Sequence, residues 1–194
     1  MPSSLSAPPS DLTGQLLIAS PSLSESDFAQ SVVYICAHSL EDGAMGLVVN
    51  RRVSQPNLDD LLEQLNIEPN PPQRRINLCA GGPVDPTRGF VLHSSDWNSE
   101  SSLRVDDHVC LTASLDVLRE IAAGDGPKHA LLALGHAAWE AGQLEEEIVR
   151  GNAWLSAPAN DALIFGHDYA PKWRRALATI NMDPLTLPDV VGHA

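Results

Sequence analysis

Apolar residues along this chain fall into short runs with two different periods, and the change of period marks out the elements. Leu16-Leu17-Ile18-Ala19 is a continuous apolar run closed by Ser20-Pro21, and Ser31 to Ala37 is a second, rich in β-branched Val32, Val33 and Ile35. Runs of this length bounded by turn residues predict buried strands. Gly43 to Gly46 predicts a turn leading into Leu47-Val48-Val49, which makes Val32 to His38 and Met45 to Asn50 an antiparallel hairpin. Leu58, Leu61, Leu62 and Leu65 then stand at i, i+3, i+4 and i+7 behind Asn57. That spacing predicts a short helix with one apolar stripe and an asparagine N-cap.

Pro69, Pro71 and Pro72 predict a loop before Ile76 to Ala80, a short strand that runs into Gly81-Gly82-Pro83-Val84. Phe90 to His93 predicts a further strand, Ser94 to Ser102 an irregular polar stretch, His108 to Leu111 a strand, and Leu115 to Ala123 a helix capped by Ser114. In the second half the pattern predicts a strand over Ala130 to Leu134 and a glycine-bounded loop from Gly135 to Gly142 around Trp139. A helix over Gln143 to Arg150, a strand over Ala153 to Leu155 and a last helix over Pro171 to Ile180 follow. Strands precede helices without strict alternation, so an α+β fold with a mixed sheet and helices packed on it is expected in place of a doubly wound one.

The 194 residues suit one domain over residues 12–194, after a Pro/Ser-rich tail over 1–11 that is expected to be disordered. No apolar run approaches the roughly 20 residues of a membrane span. The N-terminus lacks the basic and apolar regions of an export signal, so no membrane association and a cytoplasmic location are expected. Cys36, Cys79 and Cys110 are an odd set without CxxC spacing, which points to free buried thiols. A net charge of −13 opposes an extended phosphate-binding face, and Arg51-Arg52, Arg74-Arg75 and Lys172 to Arg175 read as small solvated rims or ion pairs. Direct contact with nucleic acid is not expected.

Four constellations carry candidate chemistry. The loop from Gly135 to Gly142 precedes a helix start, so Trp139 either closes the core or walls a pocket for a polar ligand. Gly81-Gly82-Pro83 turns sharply at a strand end, where ligand crevices gather, yet no lysine follows in phosphate-loop spacing. Glu145-Glu146-Glu147 point about 100° apart on a helix and read mainly as a solvated face, with Glu146 able to pair with Arg150. Cys36 with His38 and His108 with Cys110 would make a zinc site only if their strands were neighbours. No H-E-x-x-H, G-x-S-x-G or G-x-G-x-x-G pattern occurs in the sequence.

Several ordered segments together make the chain similar to the bacterial AlgH/YqgE family. They are Leu12 to Pro21, Phe28 to Asn50 with Gly43-Ala44-Met45-Gly46, Gly81 to His93, Gly135 to Ile148, Asn152-Ala153-Trp154-Leu155 and the closing Gly192-His193-Ala194. The family usually reads Gly-Tyr-Ala-Gly-Trp where this chain has Gly135-His136-Ala137-Ala138-Trp139. The resemblance implies an α+β fold with a mixed, largely antiparallel and partly barrel-like sheet and helices packed on it. It implies no settled reaction, and the family name carries a suggestion of transcriptional regulation.

The resulting expectation is a non-enzymatic regulatory or interaction protein without metal or cofactor, acting through an unknown protein partner or a small polar ligand. Gly81, Gly82, Pro83, Trp139, Gly142, Gln143 and Glu145 are its candidate binding residues, with no catalytic set. The alternative is an enzyme or small-molecule-binding protein using the same crevice, with Glu145 as acid or base and helix-start N–H groups holding an oxyanion.

Overall fold

The structure, a computed structural model, describes residues 11–53, 55, 57–68, 76–150 and 152–185. The tail over residues 1–10, the loop from Pro69 to Pro72, Arg74-Arg75 and the closing Gly192-His193-Ala194 lie outside the described residues. In chain order the strands are β1 (Gln15–Ala19), β2 (Val32–Ser39), β3 (Gly43–Val48), β4 (Asn77–Ala80), β5 (Val84–Ser94), β6 (Ser102–Arg104), β7 (Val109–Thr112), β8 (Ala130–Trp139) and β9 (Trp154–Pro158). The helices are α1 (Leu58–Gln64), α2 (Asp116–Ala122), α3 (Gln143–Val149), α4 (Asp161–Phe165) and α5 (Lys172–Thr179).

One curled sheet runs in the order β6-β7-β5-β8-β3-β2-β1-β9, with β4 also paired to β8. Among the described residues β4 and β8 are parallel and the other named pairs antiparallel, so the α+β fold and its mixed, partly barrel-like sheet stand as expected. Alternate residues explain the continuous apolar runs. Leu16, Ile18, Val32 and Tyr34 face the inside of the curl with Trp173 and Leu177 of α5. Leu17, Ala19, Val33 and Ile35 face an outer cluster closed by Leu144 of α3. A third cluster lies under α1 and α2, where Leu62, Val117, Leu118 and Ile121 pack on Val91 and Leu132. Both faces are covered, so period-two polarity disappears from these strands. The Tyr34 hydroxyl donates to Asp106 Oδ2 at 3.5 Å and links β2 to the turn between β6 and β7.

Asn57 caps α1 as expected, its side chain accepting the Asp60 N–H at 2.8 Å. Elsewhere the structure departs from local expectation. β8 continues through the expected loop as far as Trp139, because its second half pairs with β3 through Ala44↔Trp139 and Gly46↔Ala137. β6 starts at Ser102, the last residue of the stretch expected to be irregular, and runs past it to Arg104; three residues are too few to show a period. Helix α2 has Leu115 at its N-cap position and no side-chain cap, so Ser114 does not fill that role. The short α4 is started by Asn160, whose side chain accepts the Leu163 N–H at 2.9 Å.

Lys172 is not part of a solvated rim. It is 1% exposed, and its Nζ donates to the carbonyls of Val49 at 3.0 Å and Ile164 at 3.1 Å. Burial drives its pKa from 10.5 down to about 8. A base titrating lower in the folded state carries a penalty that is present below pH 8 and relieved between the folded and unfolded values, so this group adds stability as pH rises. Burial acts oppositely through Cys36 and Cys79, whose raised thiol pKa values remove stability above the ordinary thiol range. Between pH 8 and 10 the stability gap between wild type and Lys172→Met should therefore widen in favour of wild type by about 2 to 3 kcal/mol. Urea melts of both proteins at the two pH values check it, and a gap unchanged with pH would show that Lys172 is not desolvated.

Candidate functional site

Gly81 and Gly82 form a point where two backbones cross. The Gly81 N–H donates to the Leu134 carbonyl at 2.8 Å, and the Gly81 carbonyl accepts the Val48 N–H at 2.9 Å. Gly82 has φ 152° and Gly135 has φ 78°. A Cβ on Gly82 would meet the His136 backbone, and one on Gly135 would meet the Gly82 carbonyl. Close approach therefore requires glycine on both sides. Pro83 follows on the surface. The bend sits against Gly135 and His136, whereas the Trp139 turn lies past the end of the same strand, so both candidates belong to β8 but at different points along it.

Trp139 is 5% exposed and Trp154 2%. Their indole N–H groups donate to the same oxygen, Glu147 Oε1, at 3.3 Å and 3.2 Å. Phe28 stacks on Trp139 with ring centroids 6.4 Å apart and meets Trp154 edge-on at 5.5 Å. Gly43, at φ 88°, lets the β2–β3 hairpin lie against the Trp139 carbonyl. Gly142 takes φ 80° at the start of α3 and supplies no side-chain cap. Gln143 and Glu140 serve each other instead: the Glu140 N–H donates to Gln143 Oε1 at 2.9 Å, and the Gln143 N–H to the Glu140 carbonyl at 2.9 Å.

Glu145 reaches inward to His38. The His38 Nδ1 accepts the Leu12 N–H at 2.8 Å, so Nε2 carries the ring proton and donates to Glu145 Oε1. The side chain of His38 is 0% exposed and that of Glu145 12%. The pair ties α3 to β2 and to the start of the described chain. Of the three consecutive glutamates only Glu146 behaves as a solvated residue, 3.4 Å from Arg150 with both side chains exposed. Glu145 and Glu147 correct the outward expectation. Each stands three positions from a residue of the apolar stripe, Ile148 and Leu144 respectively, and that spacing places them on its flanks.

Sequence reasoning thus missed Phe28 and Trp154 as parts of the site, and it read His38 as half of a conditional zinc pair and Glu147 as mainly part of a solvated face. The Cys36–His38 and His108–Cys110 pairs are not brought together by pairing, since β5, β8 and β3 separate β7 from β2. Among the described residues no group of three His, Cys, Asp or Glu side chains is placed to hold a metal ion. What α3 presents outward is an open depression lined by Gln143, Glu146, Glu147 and Arg150.

The family described as AlgH-like matches residues 16–185. This chain belongs to the AlgH-like family. It is 63% identical to a UPF0301 protein of Gluconobacter oxydans over 94% of this chain and 98% of that one. It is 44% identical to a UPF0301 protein of Rhodospirillum rubrum over the full length of both. The solution structure of the AlgH protein from Pseudomonas aeruginosa is similar at a TM-score of 0.75 and 42% identity, over 96% of this chain and 97% of that chain. A crystal structure of the protein DIP2367 from Corynebacterium diphtheriae shares the fold at a TM-score of 0.69 and 22% identity, over 89% of each chain. The AlgH-like family is one of uncharacterised function, so the reading of this member rests on its own side chains. Among the described residues no helix is long and apolar enough to cross a membrane.

Proposed function

We propose that this AlgH-like protein is a non-enzymatic regulatory or interaction protein of the cytoplasm, acting on transcription indirectly through a protein partner or a small polar ligand. One observation carries the reading: the polar side-chain atoms around the Trp139 turn are spent inside the molecule. Glu145 is held by His38, Glu147 by two indoles and Gln143 by Glu140. Such contacts fix a surface, and they tie down the Glu145 carboxylate that an acid–base mechanism in this crevice would need. The surface they fix is the outer side of α3 with Gly142, Gln143, Glu146 and Arg150, beside Val149, which is 50% exposed. Its partner contacts would be polar at the rim with a small apolar centre. The net charge of −13 favours a partner over a nucleic acid.

The test exchanges charges on that face. In Glu146→Lys/Arg150→Glu both replaced side chains are exposed, and the ion pair is kept with its sign reversed. Affinity capture from the native cell, with mass spectrometry of proteins and metabolites, should recover species on the wild type that fall by about tenfold or more on the double variant. Equal recovery on both would rule out this face. Multiple turnovers of a substrate by the pure protein would overturn the non-enzymatic reading, and recovery of nucleic acid alone would overturn the choice of partner.

A further inference from the structure

At the sheet edge formed by β6 and β7, far in sequence from the Trp139 turn, a line of hydroxyls leads from the surface to a buried imidazole. Ser102 stands opposite Thr112 in the register of β6 and β7. Their hydroxyl oxygens are 2.7 Å apart, and Thr112 Oγ1 is 2.7 Å from Nε2 of His93 on β5. His93 and Thr112 are buried, whereas Ser102 is half-buried at the edge strand. Trp97 lies edge-on to the imidazole with centroids 5.4 Å apart.

The direction of this chain is fixed by its inner end. His93 Nδ1 lies 2.9 Å from the Ser94 carbonyl oxygen, which can only accept, so Nδ1 carries the proton. Burial lowers the His93 pKa below its ordinary value and favours the neutral ring, in which Nε2 is an acceptor. Thr112 must therefore donate to Nε2, which leaves its oxygen to accept from Ser102. The Ser102 oxygen also accepts the Ser99 N–H at 3.0 Å. A surface hydroxyl whose proton already points along a relay to a buried neutral imidazole has the parts of a nucleophile with its general base.

We infer that Ser102 is a nucleophilic serine that takes the acyl group of a small activated carboxylic ester, with Thr112 and His93 as its proton relay. Ser102 Oγ forms a bond to the carbonyl carbon, and the ester C–O bond breaks with its electron pair leaving on the alcohol oxygen. The Ser102 proton passes to Thr112 as the Thr112 proton passes to His93 Nε2. The imidazolium, itself buried, returns that proton through Thr112 to the leaving oxygen beside Ser102. Ser101 and Ser114, whose hydroxyls are 3.1 Å apart, make the surroundings polar and suit a short acyl donor. One acylation per molecule requires no turnover, so the site adds a covalent acceptor to the regulatory reading without resting on it.

The full chain with p-nitrophenyl acetate tests this. A stoichiometric burst of nitrophenolate is expected, with the acetyl group located on Ser102 by peptide mass spectrometry. Ser102→Ala should abolish the burst. Thr112→Val, close in shape to threonine but without the hydroxyl, should slow it by about 100-fold, and Thr112→Ser should restore it. Circular dichroism confirms that each variant is folded, and the serine variant separates loss of the relay from loss of packing. Acetylation confined to lysines and the N-terminus, or a Ser102 rate unchanged in folded Thr112→Val, overturns the inference.

Discussion

Gly135→Ala is expected to destabilise the protein by about 4 kcal/mol, a large part of the roughly 5 to 15 kcal/mol that holds an ordinary domain folded. Forcing alanine into the left-handed conformation costs about 1 to 2 kcal/mol. The new Cβ would then press on the Gly82 carbonyl, adding about 1 to 3 kcal/mol of overpacking. Neither backbone can retreat cheaply. Gly81 is bonded to Leu134 and Val48, and each bond broken to relieve the clash would cost about 1 kcal/mol. Gly142→Ala is the matched control: it shares a positive φ of 80°, but nothing lies within 4 Å of its Cβ. Conformational strain alone predicts about 1 to 2 kcal/mol there. Urea denaturation of the two variants separates the contributions. Equal losses would show that the double-glycine crossing is not tight.

Glu147→Ala should cost about 2 to 4 kcal/mol, because it leaves the indole N–H groups of two buried tryptophans without their shared acceptor. Alanine is the better helix former, so intrinsic propensity works slightly the other way and cannot account for a loss. Glu147→Gln keeps an acceptor oxygen while giving up its charge, and a smaller loss of about 1 kcal/mol is expected. Denaturant midpoints measure both. A Glu147→Ala protein as stable as wild type would mean that Trp139 and Trp154 find water or another acceptor.

These two sites also show where sequence reading stops. β1, the β2–β3 hairpin and the Asn57-capped α1 are legible because their signals are local: an apolar run, a glycine turn, a cap four residues ahead of a leucine. The identity of the family was legible too, since ordered motifs survive without coordinates. The continuation of β8 was hidden because Gly135 looks like a strand end. Only its close approach to the Gly82 backbone, the register shift between β5 and β8, and the pairing of Ala137 to Trp139 with β3 turn that glycine into an irregularity within a strand. His38 and Glu145 stand 107 residues apart, and no spacing rule links them. Lys172 sits in a basic cluster that reads as surface, yet Trp173 beside it donates to the Ala19 carbonyl at 2.7 Å and carries the start of α5 into the core. The candidate residues were therefore found as a motif, while the direction of their side chains was set by tertiary packing.

The Trp139 motif works as an internal clasp whose polar atoms bind one another and hold the outer face of α3 in place. A double-mutant cycle on folding stability with Trp139→Phe and Glu147→Ala addresses that directly, because phenylalanine keeps an aromatic ring without the indole donor and the cycle cancels the packing lost with the smaller side chain. The predicted coupling is about 1 to 2 kcal/mol, as befits a hydrogen bond to a charged, half-buried acceptor. Losses that simply add, to within about 0.3 kcal/mol, would contradict the clasp.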